Sequence, residues 1–171
     1  MVNNMEDTNK SKKIIKIIIT FIILLILTVI GAYFYIKKQE EINTSRFEKY
    51  INNNYDTDNT HSTYYTVYTN NNILTKTIKI DNNTNSLVTI SFNKKNEIKG
   101  KLELFGTNKY GNEGISYLES TYKNKKFECK FVSNNGYKAR CDILKEKTEE
   151  FEKEINTIFK KSKTKLKYIK I

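Results

Sequence analysis

Proline and tryptophan are missing from this chain, histidine occurs once, and cysteine occurs twice. Without proline there is no PxxP ligand and no proline-rich linker, and no residue of that kind to break a helix. His61, Cys129 and Cys141 are too few to close a tetrahedral Cys/His zinc site. Arginine is limited to Arg46 and Arg140, although the 171 residues carry a formal charge of +11. Arginine is the side chain that reads guanine through two hydrogen bonds, so a lysine-dominated excess argues against a nucleic-acid reader. Lys, Ile, Asn and Tyr share AT-rich codons, and that bias accounts for the basicity without any anionic partner.

The motifs of common chemistries are missing as well: the chain holds no HExxH, GxGxxG, GxSxG or P-loop. Gly106–Gly114, GTNKYGNEG, has the spacing G-x-x-x-x-G, but Asn112 and Glu113 stand where a phosphate loop needs Lys and Ser or Thr. Asp56, Asp58 and Thr60 alternate like calcium ligands, yet the sixth position is His61 and the twelfth is Val67, so the stretch reads as a linker. The chain therefore reads as a non-enzyme with no cofactor. A hydrolase using His61 is the remaining enzymatic reading, and the adjacent Ser62 supplies no geometry for it.

The dominant feature present is Ile14–Ile36, IIKIIITFIILLILTVIGAYFYI, with Lys16 as its single charge. As a helix it is about 34 Å long, enough to span a hydrocarbon core of roughly 30 Å. Lys12 and Lys13 precede it; Tyr33, Phe34, Tyr35, Lys37 and Lys38 form an interfacial belt and stop at its far end. A signal peptide cut after Ala32 is the rival reading, but the apolar run exceeds the roughly 7–15 residues of such segments. The expected division is a disordered tail at 1–13, a transmembrane helix at 14–36, a juxtamembrane helix and linker at 37–60, and an external domain at 61–171. Ile42, Phe47, Tyr50 and Ile51 share one side of the juxtamembrane helix, which is expected to end at Asn52–Asn54.

From His61 the apolar period becomes two, with Asn-rich punctuation. Three-residue loops with a left-handed last residue set Tyr68 opposite Leu74, Ile78 opposite Ile90, and Phe92 opposite Ile98. This rule turns even-numbered residues of four strands inward. Across Gly106–Gly114 the inward parity is expected to flip to Ile115, Tyr117, Phe127, Phe131, Ala139 and Ile143. A last hairpin, through Asn134–Gly136 to Tyr137–Ile143, then sets Cys129 opposite Cys141. Opposed residues lie within disulfide range, which favours a bridge and an oxidising compartment over a pair of small core residues.

Leu144, Phe151, Ile155, Ile158 and Phe159 form a helical stripe, with acids early and lysines late. Lys165–Ile171 alternates weakly, as a last strand or a basic tail. The expected fold is α+β: one transmembrane helix, then a seven-stranded antiparallel meander with a C-terminal helix packed on one face. In outline a meander closing on such a helix is similar to helix-grip proteins, which implies an apolar ligand. The outline of type IV pilins does not extend to their processing motif, because Leu25 stands where that motif has Glu.

These features predict a single-pass cell-membrane protein, N-terminus cytoplasmic and domain extracytoplasmic, acting as a non-enzymatic binding or scaffolding module. The alternative is a carrier of a small apolar ligand between sheet and helix. Expected partners are the bilayer, envelope proteins, and anionic wall or headgroup polymers, with Lys130, Lys138, Arg140, Lys160, Lys161 and Lys163 as the candidate anionic-partner patch.

Overall fold

Helix α1 spans Asn3–Asn54. Its sequence holds one glycine, Gly31, and nothing that stops a helix before the asparagines at its end. The computed structural model describes residues 3–81, 86–107, 113–131 and 141–171. The tail expected to be disordered is thus helical from Asn3 onward.

The chain divides into two compact units, residues 1–40 and 41–171. In the first, the large apolar side chains from Ile14 to Ile36 are 44–68% exposed, so the rest of the chain buries none of them. An 18-residue window there has a mean hydropathy of 3.0. This part of α1 is long and apolar enough to cross a bilayer, a property that membrane anchors and signal sequences share.

The second unit begins inside α1. Its helix end contributes Phe47 and Ile51, both almost fully buried, to the domain core. The described residues then form six antiparallel strands in sequence order: β1 (Thr63–Val67), β2 (Asn72–Asp81), β3 (Ser86–Asn93), β4 (Ile98–Thr107), β5 (Glu113–Lys123) and β6 (Lys126–Phe131). Helix α2 (Cys141–Ser162) and a 3₁₀ turn at Leu166–Tyr168 complete the chain. The fold is α+β with six strands rather than seven. Cys141–Ile143, read as the end of a last strand, is the first turn of α2, where Leu144 opens that helix's buried stripe. Residues 137–140 lie outside the described residues, as do Ala139 and the Asn134–Gly136 loop.

The strand register follows the loop rule in one hairpin and departs from it in others. Phe92 faces Ile98 and Val88 faces Leu102 as expected. Asn96 takes the left-handed conformation there (φ 59°), and Asn93 Oδ1 accepts from the Lys95 and Glu97 amides at 2.9 and 3.1 Å. Between β2 and β3, Ile78 faces Val88 instead of Ile90, a two-residue shift that leaves the inward parity intact.

Between β1 and β2 the shift is one residue. Val67 faces Leu74, and Tyr65, not Tyr64, turns inward and is buried. The cause is local. Tyr68 leaves the ladder with φ 55°, and a register irregularity at Ile73 puts both Ile73 and Leu74 in the core.

The parity flip expected across Gly106–Gly114 does not occur. Leu102 faces Leu118 and Ile98 faces Tyr122, so even residues stay inward on β5 and Tyr117 points outward. The flip comes one turn later. Asn124 and Lys125 both have positive φ (50° and 63°), a two-residue type I′ hairpin that sets Tyr122 opposite Phe127. Cys129 therefore faces Ser120, and its sulfur partner lies on α2 rather than across a hairpin.

The inner face carries α2, the end of α1 and the C-terminal tail. Leu144, Thr148, Phe151, Ile155 and Ile158 are all buried there, in line with the apolar stripe. Phe159 bridges the layers, its ring 5.3 Å from Phe47 and 6.0 Å from Phe92. The tail is neither a strand nor free: Ile169 is fully buried, and the Lys165 and Lys170 amides donate to Asn43 Oδ1 and Thr44 Oγ1 at 3.2 and 3.1 Å.

Candidate binding cleft

Recesses open on both faces of the sheet among the described residues. The first, about 600 Å³, lies on the sheet face turned away from α2 and is lined by Thr89, Ser91, Lys99, Lys101, Glu119 and Lys130 among others. Strand alternation dictates its polarity, because each of these residues neighbours one pointing into the core. Its charges cancel: Lys101 pairs with Glu103 at 2.7 Å and Lys130 with Glu119 at 3.5 Å. This is the solvated side common to antiparallel sheets.

The second recess has a different make-up. It holds about 470 Å³, within the range of small-molecule sites, and lies between the sheet and the C-terminal half of α2. Its floor is apolar: Phe92 and Ile98 from adjacent strands, Ile155 and Phe159 from α2, and Leu166 from the 3₁₀ turn. The two hairpin turns that end on Asn96 and on Asn124–Lys125 form one rim. On α2, Glu152, Ile155, Asn156 and Phe159 follow at i, i+3, i+4 and i+7 and so share a helix face. Tyr122 reaches across from β5, and its hydroxyl donates to Glu152 Oε2 at 2.9 Å. That bond, with burial and the field of the carboxylate adding to it, raises the phenol above its ordinary pKa. Lys123, also at the cleft, is held by Glu97 at 2.7 Å.

Helix α2 ends beside this cleft in a Schellman arrangement. Thr164 N donates to Phe159 O at 3.2 Å across Lys163, whose φ is 54°. Lys163 from the candidate patch thus occupies a position usually taken by glycine. Lys160 and Lys161 lie in the last turn of α2, whereas Lys130 lies on the opposite side of the sheet. The structure does not gather these lysines into one surface. Lys138 and Arg140 lie outside the described residues.

The sulfurs of Cys129 and Cys141 are 2.04 Å apart, at disulfide distance, and their Cα atoms 6.1 Å apart. The link ties β6 to the first turn of α2. His61 is exposed, and its Nδ1 meets Asp56 Oδ2. Asp56 and Asp58 accept from the amides of Asp58 and Thr60, each at 2.9 Å, so both carboxylates serve turns in the linker. Those hydrogen bonds hold both below the ordinary carboxylate range, with His61 contributing at Asp56.

The sequence reading missed Tyr122 and Glu152. It gave Tyr122 the outward parity and left Glu152 unnamed among the early acids of the helical stripe. The available signal was Asn124: a two-residue turn starting on Asn sets Tyr122 and Phe127 side by side on the inner face.

At the other end of the sheet a second tyrosine cluster packs on α2. Tyr65 donates to Glu154 Oε1 at 2.6 Å, Lys76 pairs with Glu154 Oε2 at 2.9 Å, and the Tyr55 ring packs at a tilt with its centroid 4.8 Å from that of Tyr65. Tyr68 donates to Thr44 O at 3.2 Å. Burial first, then the nearby carboxylates of Glu154 or Glu48, raise the phenols of Tyr55, Tyr65 and Tyr68.

A pH prediction follows. These folded-state values stand above the unfolded value of about 10, so the stabilisation is intact below pH ~10 and is lost as pH rises beyond it. In a spectroscopic titration, Tyr55, Tyr65, Tyr68 and Tyr122 should ionise only with unfolding, and denaturant stability should fall steeply above pH ~10. Ionisation of all the tyrosines near pH 10 in a still-folded protein would contradict it.

Comparison of the chain with protein-family models, curated proteins and solved structures finds no match.

Proposed function

We propose that the protein is a single-pass membrane protein whose second unit is a non-enzymatic binding or scaffolding module on the outer side of the cell membrane. The observation that carries this reading is Ile14–Ile36, a wholly exposed apolar stretch joined to a unit with its own core. Exposed apolar area on that scale costs about 25 cal/mol per Å² in water and nothing in lipid. The cysteine pair supports the external side, because disulfides persist in oxidising compartments. Envelope proteins and anionic wall or headgroup polymers are the partner classes that fit this location.

Thiol labelling in intact cells tests topology and bridge together. An impermeant maleimide should label Cys129 and Cys141 only after reduction, and the protein should stay with the membrane fraction. Labelling without reduction would overturn the bridge, and labelling only after lysis would overturn the external assignment. Replacing both cysteines by alanine should cost at most about 3 kcal/mol, since the bridge spans only 12 positions.

The cleft supports a second reading, a carrier that holds a small ligand between sheet and α2. Its apolar floor ringed by a few polar groups is the usual make-up of such sites.

A further inference from the structure

We propose that the cleft takes a small molecule with an apolar body and a positively charged nitrogen, the ammonium seated against Glu152. This rests on the reading of the cleft as a ligand site and names the chemistry of the ligand.

The argument is one of charge left over. Glu152 is half-buried beside Ile155 and Phe159, and its one hydrogen-bond donor among the described residues is the neutral Tyr122 hydroxyl. No lysine or arginine among the described residues forms an ion pair with it. Lys123, which lines the same cleft, is committed to Glu97 at 2.7 Å. Glu149 adds a second negative field at the Tyr122 hydroxyl. A carboxylate against an apolar wall gains more from a counter-ion than one in water does, because the surrounding dielectric is lower.

The walls suit the same ligand. Phe92 and Phe159 meet edge to face at 6.0 Å, and Tyr122 adds a third ring. Aromatic faces attract cations as well as apolar bodies. A carboxylate-headed ligand would have to rely on Lys125, which is exposed on its hairpin turn and has water as its competitor.

The test uses the full chain in nanodiscs of zwitterionic lipid, with empty nanodiscs as the blank. Two probes share one body and differ in head charge: phenethylammonium and 3-phenylpropionate. Binding is read by calorimetry and by amide shifts at Asn124, Asn156 and Thr164. Phenethylammonium is expected to saturate, with 3-phenylpropionate at least tenfold weaker.

Glu152→Gln keeps a carbonyl for the Tyr122 hydroxyl and removes the charge; it should weaken phenethylammonium tenfold or more. Asn156→Trp, from an exposed position on α2, should block the cleft and abolish binding while the melting temperature is kept. Equal binding of both probes, or an unchanged Glu152→Gln variant, overturns the charge assignment and leaves the ligand site standing. Saturation of neither probe, or full binding to Asn156→Trp, overturns the ligand site and the assignment with it.

Discussion

A fragment beginning at Glu41 should fold, and one beginning at His61 should not. The difference is the last turns of α1. Phe47 and Ile51 are 1% and 0% exposed, and Phe47 packs against both Phe159 of α2 and Tyr68 beyond β1. The same turns hold the C-terminus, since Asn43 and Thr44 accept from the amides of Lys165 and Lys170. Losing them strips one side of the core and frees Ile169, which is otherwise fully buried. A single Phe47→Ala change isolates the effect. Emptying a closed phenylalanine site costs about 3–5 kcal/mol, a large share of the 5–15 kcal/mol that stabilises a domain. Denaturant unfolding of the 41–171 fragment, with and without Phe47→Ala, measures it. A cooperative transition in the 61–171 fragment with the same slope would show that α1 is only a stalk.

That boundary also shows what a sequence displays and what it conceals. The apolar stretch, the two-residue period after His61 and the stripe on α2 were all legible, because each is a repeat along one element. Phe47 and Ile51 were visible as one side of a helix. The amphipathic pattern could not say whether that side met the domain or only continued the span. Turn chemistry was the weak point. Asn96 obeyed the three-residue rule, but Tyr68 took a left-handed conformation that no tyrosine advertises, and β1 slipped by one residue. The I′ turn at Asn124–Lys125 lacks the usual glycine, so the inversion of parity was assigned to the glycine-rich stretch before it. Each such error flips a strand's faces, and Tyr122 disappeared from the inner face for that reason alone.

The cysteines teach a related lesson. The two sulfurs lie at disulfide distance, but not across the expected hairpin: Cys129 faces Ser120, and Cys141 reaches it from a helix. The location of the cleft was harder still. Its walls come from three strands, two turns, a helix and the tail, and no local pattern records their convergence.

Replacing Gly100 by valine should destabilise the domain by about 3 kcal/mol, the upper end of what overpacking costs. Gly100 lies inward on β4, opposite Ser120 and under Leu144. A Cβ there would stand 2.5 Å from Ser120 Oγ and 2.8 Å from Leu144 Cδ1. Leu144 is fully buried one turn after Cys141, so it cannot give way without lifting the start of α2. Gly100→Ala meets the same atoms with less bulk and loses some freedom in the unfolded chain, so it should cost less. Ser120→Ala works in the opposite direction. Among the described residues Ser120 Oγ is buried with no hydrogen-bond partner, and a hydroxyl left that way costs about 1–3 kcal/mol. Its removal should therefore be neutral or stabilising, and it clears the nearest obstacle to a Cβ at position 100. In the Ser120→Ala background the Gly100→Ala penalty should shrink by about 0.5 kcal/mol or more, the mark of two residues in contact. Thermal unfolding of the four species decides it. Strict additivity would mean that β4 and β5 adjust independently, and that α2 does not rest on the bare backbone of Gly100.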